Sequence, residues 1–338
     1  MRKNKKLLVN APWEVKVTEE NFDTEITDDY DVIIKTLYTH ISAGTEMACL
    51  SGLEDWFSFP NTPGYTAIGE VIATGKRVND INEGDVVYTY GNHGSFFKLN
   101  RQDRWHGVCV KVPQGLQLEV AAFTHMAGIA ITAIRTSEIT LGDFVAVSGL
   151  GTIGNLAGQL AMLQGARVIA FDINDHRINI AKSCGLQHAI NTSGEKVQHH
   201  ISTFTKEKMV STFIDATGIP GVINQSINYI ETNGELILLG SPRKELQTNI
   251  TPFLQKVHLM DNIKIKGALE FSYPTHNQPF SKHSIERNAA IIMDLMDEGK
   301  LKIQPLLTQK IKPEQAMEAY EGLRDKPDEY MGVVIDWT

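Results

Sequence analysis

The stretch VSGLGTIG constrains the fold of this chain most strongly, because glycine recurs at positions 149, 151 and 154 where one sequence pattern changes into another. The preceding residues, DFVAVSG, predict a strand, and the following GNLAGQLAMLQG predicts a helix that ends at Gly165. A second strand, ARVIAFD, follows directly. This strand, helix, strand order predicts a parallel sheet with a right-handed crossover.

The three glycines have the G-x-G-x-x-G spacing of a dinucleotide-binding loop. Gly149 allows a tight turn, Gly151 lets a pyrophosphate approach the backbone, and Gly154 lets the helix pack on the strand. A purely structural glycine loop is the alternative, but the next strand ends at Asp172, about where an acidic residue binds the ribose hydroxyls. The predicted cofactor-binding residues are Gly149, Leu150, Gly151, Thr152, Ile153, Gly154, Asp172, Thr217 and Gly240.

The charge on Asp172 predicts that the cofactor is NAD. A carboxylate bonds a ribose 2′-hydroxyl and repels the 2′-phosphate of NADP. Arg177 lies in the following helix and is expected to pair or cap on its surface. Asp215, near the end of a later strand, is expected to support backbone turns rather than to take part in catalysis.

The rest of the chain predicts two domains. Strand patterns at 211–218, 234–241 and 263–271 extend the parallel sheet into a doubly wound nucleotide-binding domain over residues 118–274. Residues 1–117 alternate short β-branched runs with turn signals, after a basic start that leads into a first strand, and predict a β-rich domain. Residues 275–338 carry two helix patterns and the strand GVVIDW, and are expected to return to that domain.

Composition limits the possible partners. A net charge of −8 gives no broad attraction to nucleic acid or anionic lipid, so a small-molecule substrate is expected, with no nucleic-acid or membrane partner. The apolar run 144–163 is long enough to suggest a membrane helix, but its glycine loop argues against one. Three dispersed cysteines form no C-x-x-C pair, which favours a reducing, cytoplasmic location; they are Cys49, Cys109 and Cys184.

Taken in order, the motifs ISAGTE, GYTAIGEV, INEGDVV, VKVPQGLQLEVAA, VSGLGTIG, IDATG, GELILLG and EQAMEAYEGL…GVVIDW resemble the medium-chain dehydrogenase/reductase superfamily over nearly the whole chain. The resemblance implies an α/β protein with a GroES-like β-rich catalytic domain and a Rossmann domain. It also implies a homodimer, since the counterpart of NIKIKGALEF (262–271) pairs edge to edge across a two-fold axis. An unpaired apolar edge strand would otherwise favour aggregation.

The chain differs from the zinc-dependent members of that superfamily at the positions of their zinc ligands. The places of the catalytic zinc ligands correspond to Ala43, Tyr65 and His125, and only His125 is able to bind the metal. Because a catalytic zinc needs about three protein ligands, no metal site is expected. DVVYTYGNHGSFFKL leaves no room for the four-cysteine structural lobe. SAGTE and YGNHGSFFKL resemble a zinc-lacking branch that includes bacteriochlorophyllide hydroxyethyl dehydrogenase and the dehydrogenase-like halves of some sugar oxidoreductases.

Without zinc, alcohol oxidation needs a protein base and hydrogen-bond donors for the substrate oxygen. The resemblance implies that the residues at the former metal site face the nicotinamide. Tyr65 is either a donor or a filler of the vacant space, and Thr45 is either a donor or a cap. Glu46 orients a His or Tyr, acts as the base, or pairs with a buried arginine. His93 and His125 have the pKa range for proton exchange, or are pocket histidines without such a role.

Three functions remain open from the sequence. The first is zinc-independent, NAD-dependent oxidation of a secondary alcohol on a sugar, cyclitol or other polar metabolite. The second is reduction of an activated C=C bond, as in enoyl or quinone reductases, although Asp172 disfavours the NADP that many of those enzymes use. The third is a non-catalytic NAD-binding protein.

Overall fold

The chain folds into two compact units in the computed structural model, which describes residues 1–193 and 196–338. The β-rich unit comprises residues 1–125, 271–299 and 306–338, and the Rossmann unit comprises 126–270 and 300–305. The sequence pattern predicts borders at 117/118 and 274/275 instead, and it predicts that residues 300–305 belong to the β-rich domain.

The strands of the described residues are numbered in chain order. They are Arg2–Ala11 (β1), Glu14–Phe22 (β2), Asp31–Ile41 (β3), Ala67–Thr74 (β4), Val86–Thr89 (β5), Phe96–Asn100 (β6), Cys109–Lys111 (β7), Phe144–Ser148 (β8), Arg167–Asp172 (β9), Ala189–Asn191 (β10), Val210–Asp215 (β11), Ile230–Leu238 (β12), Lys264–Gly267 (β13), Leu307–Ile311 (β14) and Gly332–Asp336 (β15).

The α-helices are numbered in the same way. They are Ala43–Leu50 (α1), Leu118–Ala121 (α2), Thr124–Thr136 (α3), Thr152–Leu163 (α4), Asp175–Ser183 (α5), Val197–Thr205 (α6), Pro220–Ser226 (α7), Thr251–Gln255 (α8), Ile285–Asp297 (α9) and Ala316–Asp325 (α10). Short 3₁₀ turns occur at Ile227–Tyr229, Glu270–Ser272, Gln304–Leu306 and Pro313–Gln315, and Lys256–Met260 forms a π-helical turn.

The β-rich unit is built on a seven-stranded sheet in the order β14-β15-β3-β4-β5-β7, with β6 also paired to β3. Strand β3 is buried along most of its length, because one face packs on Val71 and Leu99 and its end packs on Leu50 and Tyr320. The basic start of the chain belongs to β1, which forms an antiparallel hairpin with β2. Its Leu7 is fully buried, so this end contributes to the core as well as to the surface.

The Rossmann unit contains a six-stranded parallel sheet in the order β10-β9-β8-β11-β12-β13. This is the doubly wound order, in which the direction of winding reverses between β8 and β11 and leaves a ligand crevice at the carboxyl ends of those strands. The predicted fold class is therefore confirmed. Strand β13 ends at Gly267, earlier than the predicted 271, because the backbone turns into the 3₁₀ helix at Glu270–Ser272.

The apolar run 144–163 divides into strand β8, the glycine loop and helix α4. The predicted end of this helix is confirmed, since it stops at Leu163 and Gly165 adopts a φ of +102°. No helix among the described residues has both the length and the apolarity needed to cross a bilayer.

Candidate cofactor and catalytic sites

The glycine loop in the Rossmann unit has room for a phosphate group. Gly149 has a φ of +87°, and a Cβ on Gly154 would lie 1.8 Å from the carbonyl oxygen of Gly149, so only glycine fits at that contact. A Cβ on Gly151, in contrast, would meet nothing within 4 Å. Gly151 caps helix α4 without a side-chain bond, and the first N–H groups of a helix lack intrahelical partners. This combination suits a pyrophosphate.

Asp172 lies at the end of β9 and is joined to this loop. Its Oδ2 atom accepts a hydrogen bond of 2.6 Å from the backbone N–H of Leu150, and its Oδ1 atom accepts bonds from the N–H groups of Ile173 and Asn174. The guanidinium of Arg177 lies 3.8 Å from Oδ2. The carboxylate is therefore a fixed negative charge beside the loop, and Arg177 pairs with it from helix α5.

Thr217 and Gly240 lie at the carboxyl ends of β11 and β12, next to the glycine loop. The methyl group of Thr217 is 2.9 Å from the position of a Cβ on Gly149, and the N–H of Gly240 donates to the carbonyl of Asp215 at 2.8 Å. The Asp215 side chain accepts bonds from the Thr217 hydroxyl and the N–H of Gly218. Burial raises its pKa against the effect of these bonds. Asp215 thus supports backbone turns, as the sequence predicts.

In the β-rich unit, His125 lies among tyrosine rings. It stacks on Tyr90 with ring centroids 4.2 Å apart and meets Tyr65 edge to face at 4.9 Å. Its Nδ1 atom is 3.0 Å from the carbonyl oxygen of Tyr65. A carbonyl only accepts hydrogen bonds, so Nδ1 carries the proton and Nε2 is the acceptor nitrogen of the neutral ring.

The start of helix α1 lies against Tyr65, because the tyrosine hydroxyl donates to the Oγ atom of Ser42, the residue that precedes the helix. Thr45 is partly exposed on the first turn of α1, and Ala43 presents only a methyl group. The structure therefore brings Tyr65 and His125 together, and connects Tyr65 to the helix that carries Thr45.

Glu46 and His93 form a pair of their own beneath this helix. The Glu46 carboxylate is 2% exposed and His93 is completely buried. Oε2 of Glu46 is 2.9 Å from Nε2 of His93 and accepts a 2.5 Å bond from the hydroxyl of Tyr320, and Oε1 accepts the N–H of Ser42. Of the partners expected for Glu46, the structure shows a histidine and a tyrosine, His93 and Tyr320, and not an arginine. Glu46 and His93 are buried, as is His125 at 3% exposed, but both oxygens of Glu46 and both ring nitrogens of His93 have protein partners, so the part proposed for this pair in proton exchange is indirect.

The donor set at the former metal positions does not fit zinc. Ala43 offers no ligand atom and the hydroxyl of Tyr65 is bonded to Ser42, so Nε2 of His125 is a single ligand where a catalytic zinc needs about three. Within residues 1–193 and 196–338, no three His, Cys, Asp or Glu side chains are grouped so that they could hold a metal ion.

Sequence reasoning missed three residues of this region. Ser42 and Tyr320 lie in the motifs ISAGTE and EQAMEAYEGL, which carry the resemblance without singling out either residue, although Ser directly before a helix is a common capping signal. His40 is buried against Phe123 with ring centroids 4.3 Å apart, and neither of its ring nitrogens has a partner among the described residues. Burial, and then the charges of His93 and His125, lower the pKa of His40 to about 3, so this ring is neutral near physiological pH.

Comparisons with known sequences show which proteins this chain is similar to. A family model described as zinc-binding dehydrogenase matches residues 152–282. The chain is 23% identical to an uncharacterised zinc-type alcohol dehydrogenase-like protein of Haemophilus influenzae, over 97% of each chain. It is 28% identical to D-guloside 3-dehydrogenase of Escherichia coli, over 75% of its own length and 72% of that protein. It is 22% identical to L-threonine 3-dehydrogenase of Photobacterium profundum, over 91% and 92%.

Solved structures share the whole fold. Galactitol-1-phosphate dehydrogenase of Escherichia coli superimposes with a TM-score of 0.83 at 19% identity, over 98% of this chain and 99% of that one. An Escherichia coli alcohol dehydrogenase complexed with NADH gives 0.81 at 17%, over 99% of each chain. A Sinorhizobium meliloti protein assigned to the zinc-binding dehydrogenases and bound to NADP gives 0.82 at 19%, over 99% and 100%.

The two-unit fold and the family match together define an oxidoreductase of the dehydrogenase type. Residues 152–282 match the zinc-binding dehydrogenase family model, and the chain as a whole is similar to zinc-type alcohol dehydrogenase-like proteins of the medium-chain dehydrogenase/reductase superfamily.

Proposed function

We propose that this chain is a zinc-independent, NAD-dependent dehydrogenase that interconverts a secondary alcohol and a ketone on a polar metabolite such as a sugar or cyclitol. The observation that carries the proposal is the arrangement of Tyr65 and His125. A hydroxyl donor and an imidazole whose Nε2 accepts a proton meet where zinc enzymes have metal ligands.

The glycine loop and Asp172 support NAD as the cofactor. Bound NAD⁺ would supply the hydride acceptor, with its pyrophosphate at Gly149–Gly154 and its adenosine ribose beside Asp172. The fixed charge of Asp172 disfavours a 2′-phosphate, although Arg177 offsets part of that charge. The NADH-bound and NADP-bound structures of similar fold are consistent with a nicotinamide cofactor.

Three side chains, those of His125, Tyr65 and Thr45, act on the substrate oxygen. The alcohol proton passes to Nε2 of His125, which makes the ring an imidazolium while Nδ1–H keeps its bond to the carbonyl of Tyr65. The hydroxyl of Tyr65 turns from Ser42 to donate to the oxygen as negative charge develops there. Thr45 provides a second hydroxyl on the adjoining helix. In ketone reduction the same proton returns from His125 to the oxygen.

The substrate class rests on the relatives. D-Guloside 3-dehydrogenase, L-threonine 3-dehydrogenase and galactitol-1-phosphate dehydrogenase are all named for polar, hydroxylated substrates. A site that holds the substrate oxygen through a tyrosine, a threonine and a histidine is suited to the same kind of compound.

The experiment is a screen of pyranosides, polyols, hydroxy amino acids and enones with NAD and with NADP, followed by the absorbance of the reduced nicotinamide. Oxidation of a secondary alcohol with NAD supports the proposal. Turnover of enones alone would identify a C=C reductase, and cofactor binding without any turnover would identify a non-catalytic protein. With the substrate and cofactor that give activity in the screen, Tyr65→Phe should lower kcat by roughly 10²-fold with cofactor binding nearly unchanged. Tyr330→Phe, the control, should keep full activity.

A further inference from the structure

Tyr320 forms a bond to Glu46 that no catalytic motif accounts for. Its side chain is completely buried in the core formed by β1, β3, α1, α10 and β15, and its hydroxyl lies 2.5 Å from Oε2 of Glu46. Burial and the adjacent carboxylate raise the pKa of Tyr320 well above its ordinary value of 10.0, so the phenol stays protonated and donates.

The bonds around Glu46 have one consistent direction. A carboxylate oxygen only accepts, so Nε2 of His93 carries the proton and donates to Oε2 of Glu46. Nδ1 of the neutral ring then accepts the hydroxyl of Thr39, 2.8 Å away, and the Thr39 oxygen in turn accepts the indole N–H of Trp337 at 2.9 Å. The carboxylate therefore receives hydrogen bonds from Tyr320, His93 and the backbone of Ser42.

This network ends at Ser42, whose two polar groups face different partners. Its N–H is held by Oε1 of Glu46 at 2.7 Å, while its Oγ atom accepts the hydroxyl of Tyr65. Glu46 also donates its own N–H to the Ser42 carbonyl at 2.9 Å. Ser42 is thus fixed from the protein interior and in turn fixes Tyr65.

We propose that Tyr320 is a positioning residue for the reaction: its bond to Glu46 holds Ser42, and Ser42 holds the Tyr65 side chain at the place from which its hydroxyl turns to the substrate oxygen. This inference rests on the proposed function, in which Tyr65 is the donor. A buried carboxylate that loses one donor shifts towards those that remain, which here are His93 and the N–H of Ser42, so the loss is felt at Ser42. Small displacements of a catalytic group are costly to turnover.

The test is a double-mutant cycle between Tyr320→Phe and Tyr65→Phe, with Tyr330→Phe as the matched control. Tyr330 packs in the same core, against Gly322 of α10, but lies outside the Glu46 network. We expect Tyr320→Phe to lower kcat about tenfold, the effect of losing one charge-assisted hydrogen bond, with unchanged affinity for NAD. In the Tyr65→Phe background it should lower kcat no further, because the group it positions has gone. A role confined to stability would lower Tm and leave kcat of the folded fraction unchanged.

A second readout needs no substrate. In protein labelled with fluorotyrosine, the fluorine NMR resonance of Tyr65, assigned by its loss in Tyr65→Phe, should shift in Tyr320→Phe and stay in place in Tyr330→Phe. An unmoved resonance, or full additivity in the cycle, would overturn the positioning role. If Tyr65→Phe alone retains full kcat, the proposed function loses its donor and the positioning inference fails with it. If only Tyr320→Phe is without effect, the proposed function stands and this inference does not.

Discussion

The Nδ1 atom of His125 donates a hydrogen bond to the carbonyl oxygen of Tyr65 across 3.0 Å. This single contact fixes the tautomer of the neutral ring and leaves Nε2 as its acceptor nitrogen, the proposed proton acceptor of the reaction. It also joins the imidazole ring to the backbone of Tyr65, the proposed donor, so that the distance between the proposed base and the proposed donor is fixed.

The contact leads to a paired prediction for His125. Asparagine places an amide N–H near the position of Nδ1 and retains the bond to Tyr65 but has no group at the position of Nε2. His125→Asn should therefore lower kcat by about 10²–10⁴-fold while Tm changes little. Tyr90→Phe, which keeps the ring stacked on His125, serves as the control and should keep most of the activity. Full turnover in His125→Asn would show that the base lies elsewhere.

Cofactor choice depends on Asp172. Asp172→Ser removes the charge beside the ribose and also the acceptor for the N–H of Leu150. We expect NAD to bind at least about tenfold more weakly and the preference over NADP to narrow, as measured by titration of each cofactor. Adding Arg177→Ala to Asp172→Ser should remove any gain in NADP binding, because the guanidinium would be the group that meets a 2′-phosphate. A wild-type preference for NADP would contradict the role given to Asp172.

Stability should depend on pH through His276 and Glu286 in the β-rich unit. Nδ1 of His276 lies 2.8 Å from Oε2 of Glu286 and Nε2 lies 2.6 Å from the carbonyl of Arg101, and both partners are acceptors, so the geometry suits an imidazolium. The bond to Glu286 raises the pKa of His276 above 6.5. Burial alone would raise the pKa of Glu286, but the effects of His276 and Arg101 outweigh it, and the pKa lies below its ordinary value of 4.5.

The signs of the two shifts define a window. The contribution of His276 is complete below pH 6.5 and is lost as the pH rises through its raised pKa. That of Glu286 is complete above pH 4.5 and is lost as the pH falls through its lowered pKa. The pair therefore stabilises the unit most between these values, by at most about 1 kcal/mol because His276 is partly exposed. His276→Gln should flatten the fall of Tm on the alkaline side, and an unchanged profile would contradict this account.

A homodimer is proposed from the edge of the Rossmann sheet. Strand β13 is last in the sheet order, and apolar side chains are exposed on and around it, including Ile265 at 39% and Leu269 at 60%. Ile265→Glu would place two like charges near a two-fold axis and should convert the dimer to monomers in light scattering at micromolar concentration. Leu141→Lys, at an exposed apolar residue that lies against Gly165 just before β9, should leave the mass unchanged. A monomeric wild type would contradict the proposal.

The sequence predicts the Rossmann unit well because its signals are local. The glycine loop, the strand that ends at Asp172 and the helix stop at Gly165 each depend on residues close in the chain. The Glu46 network is different: Tyr320 is 274 residues from Glu46, and nothing near either residue indicates the pairing. Of the alternatives open for Glu46, the contacts observed are with a histidine and a tyrosine and not with an arginine, but the sequence could not say which histidine and tyrosine. The burial of His93 likewise depends on contacts with β1, β3 and α1, through Leu7, Thr39 and Glu46, which are all distant from it in the chain.

The central claim is that protein groups, and not zinc, manage the proton and the charge on the substrate oxygen. The most direct measurement is alcohol-dependent reduction of NAD by protein dialysed against a strong chelator, with zinc measured by elemental analysis in the same sample. The account predicts undiminished kcat in protein with far less than stoichiometric zinc, and no gain when zinc is added back. Activity that falls with the zinc content and returns on adding zinc would contradict it.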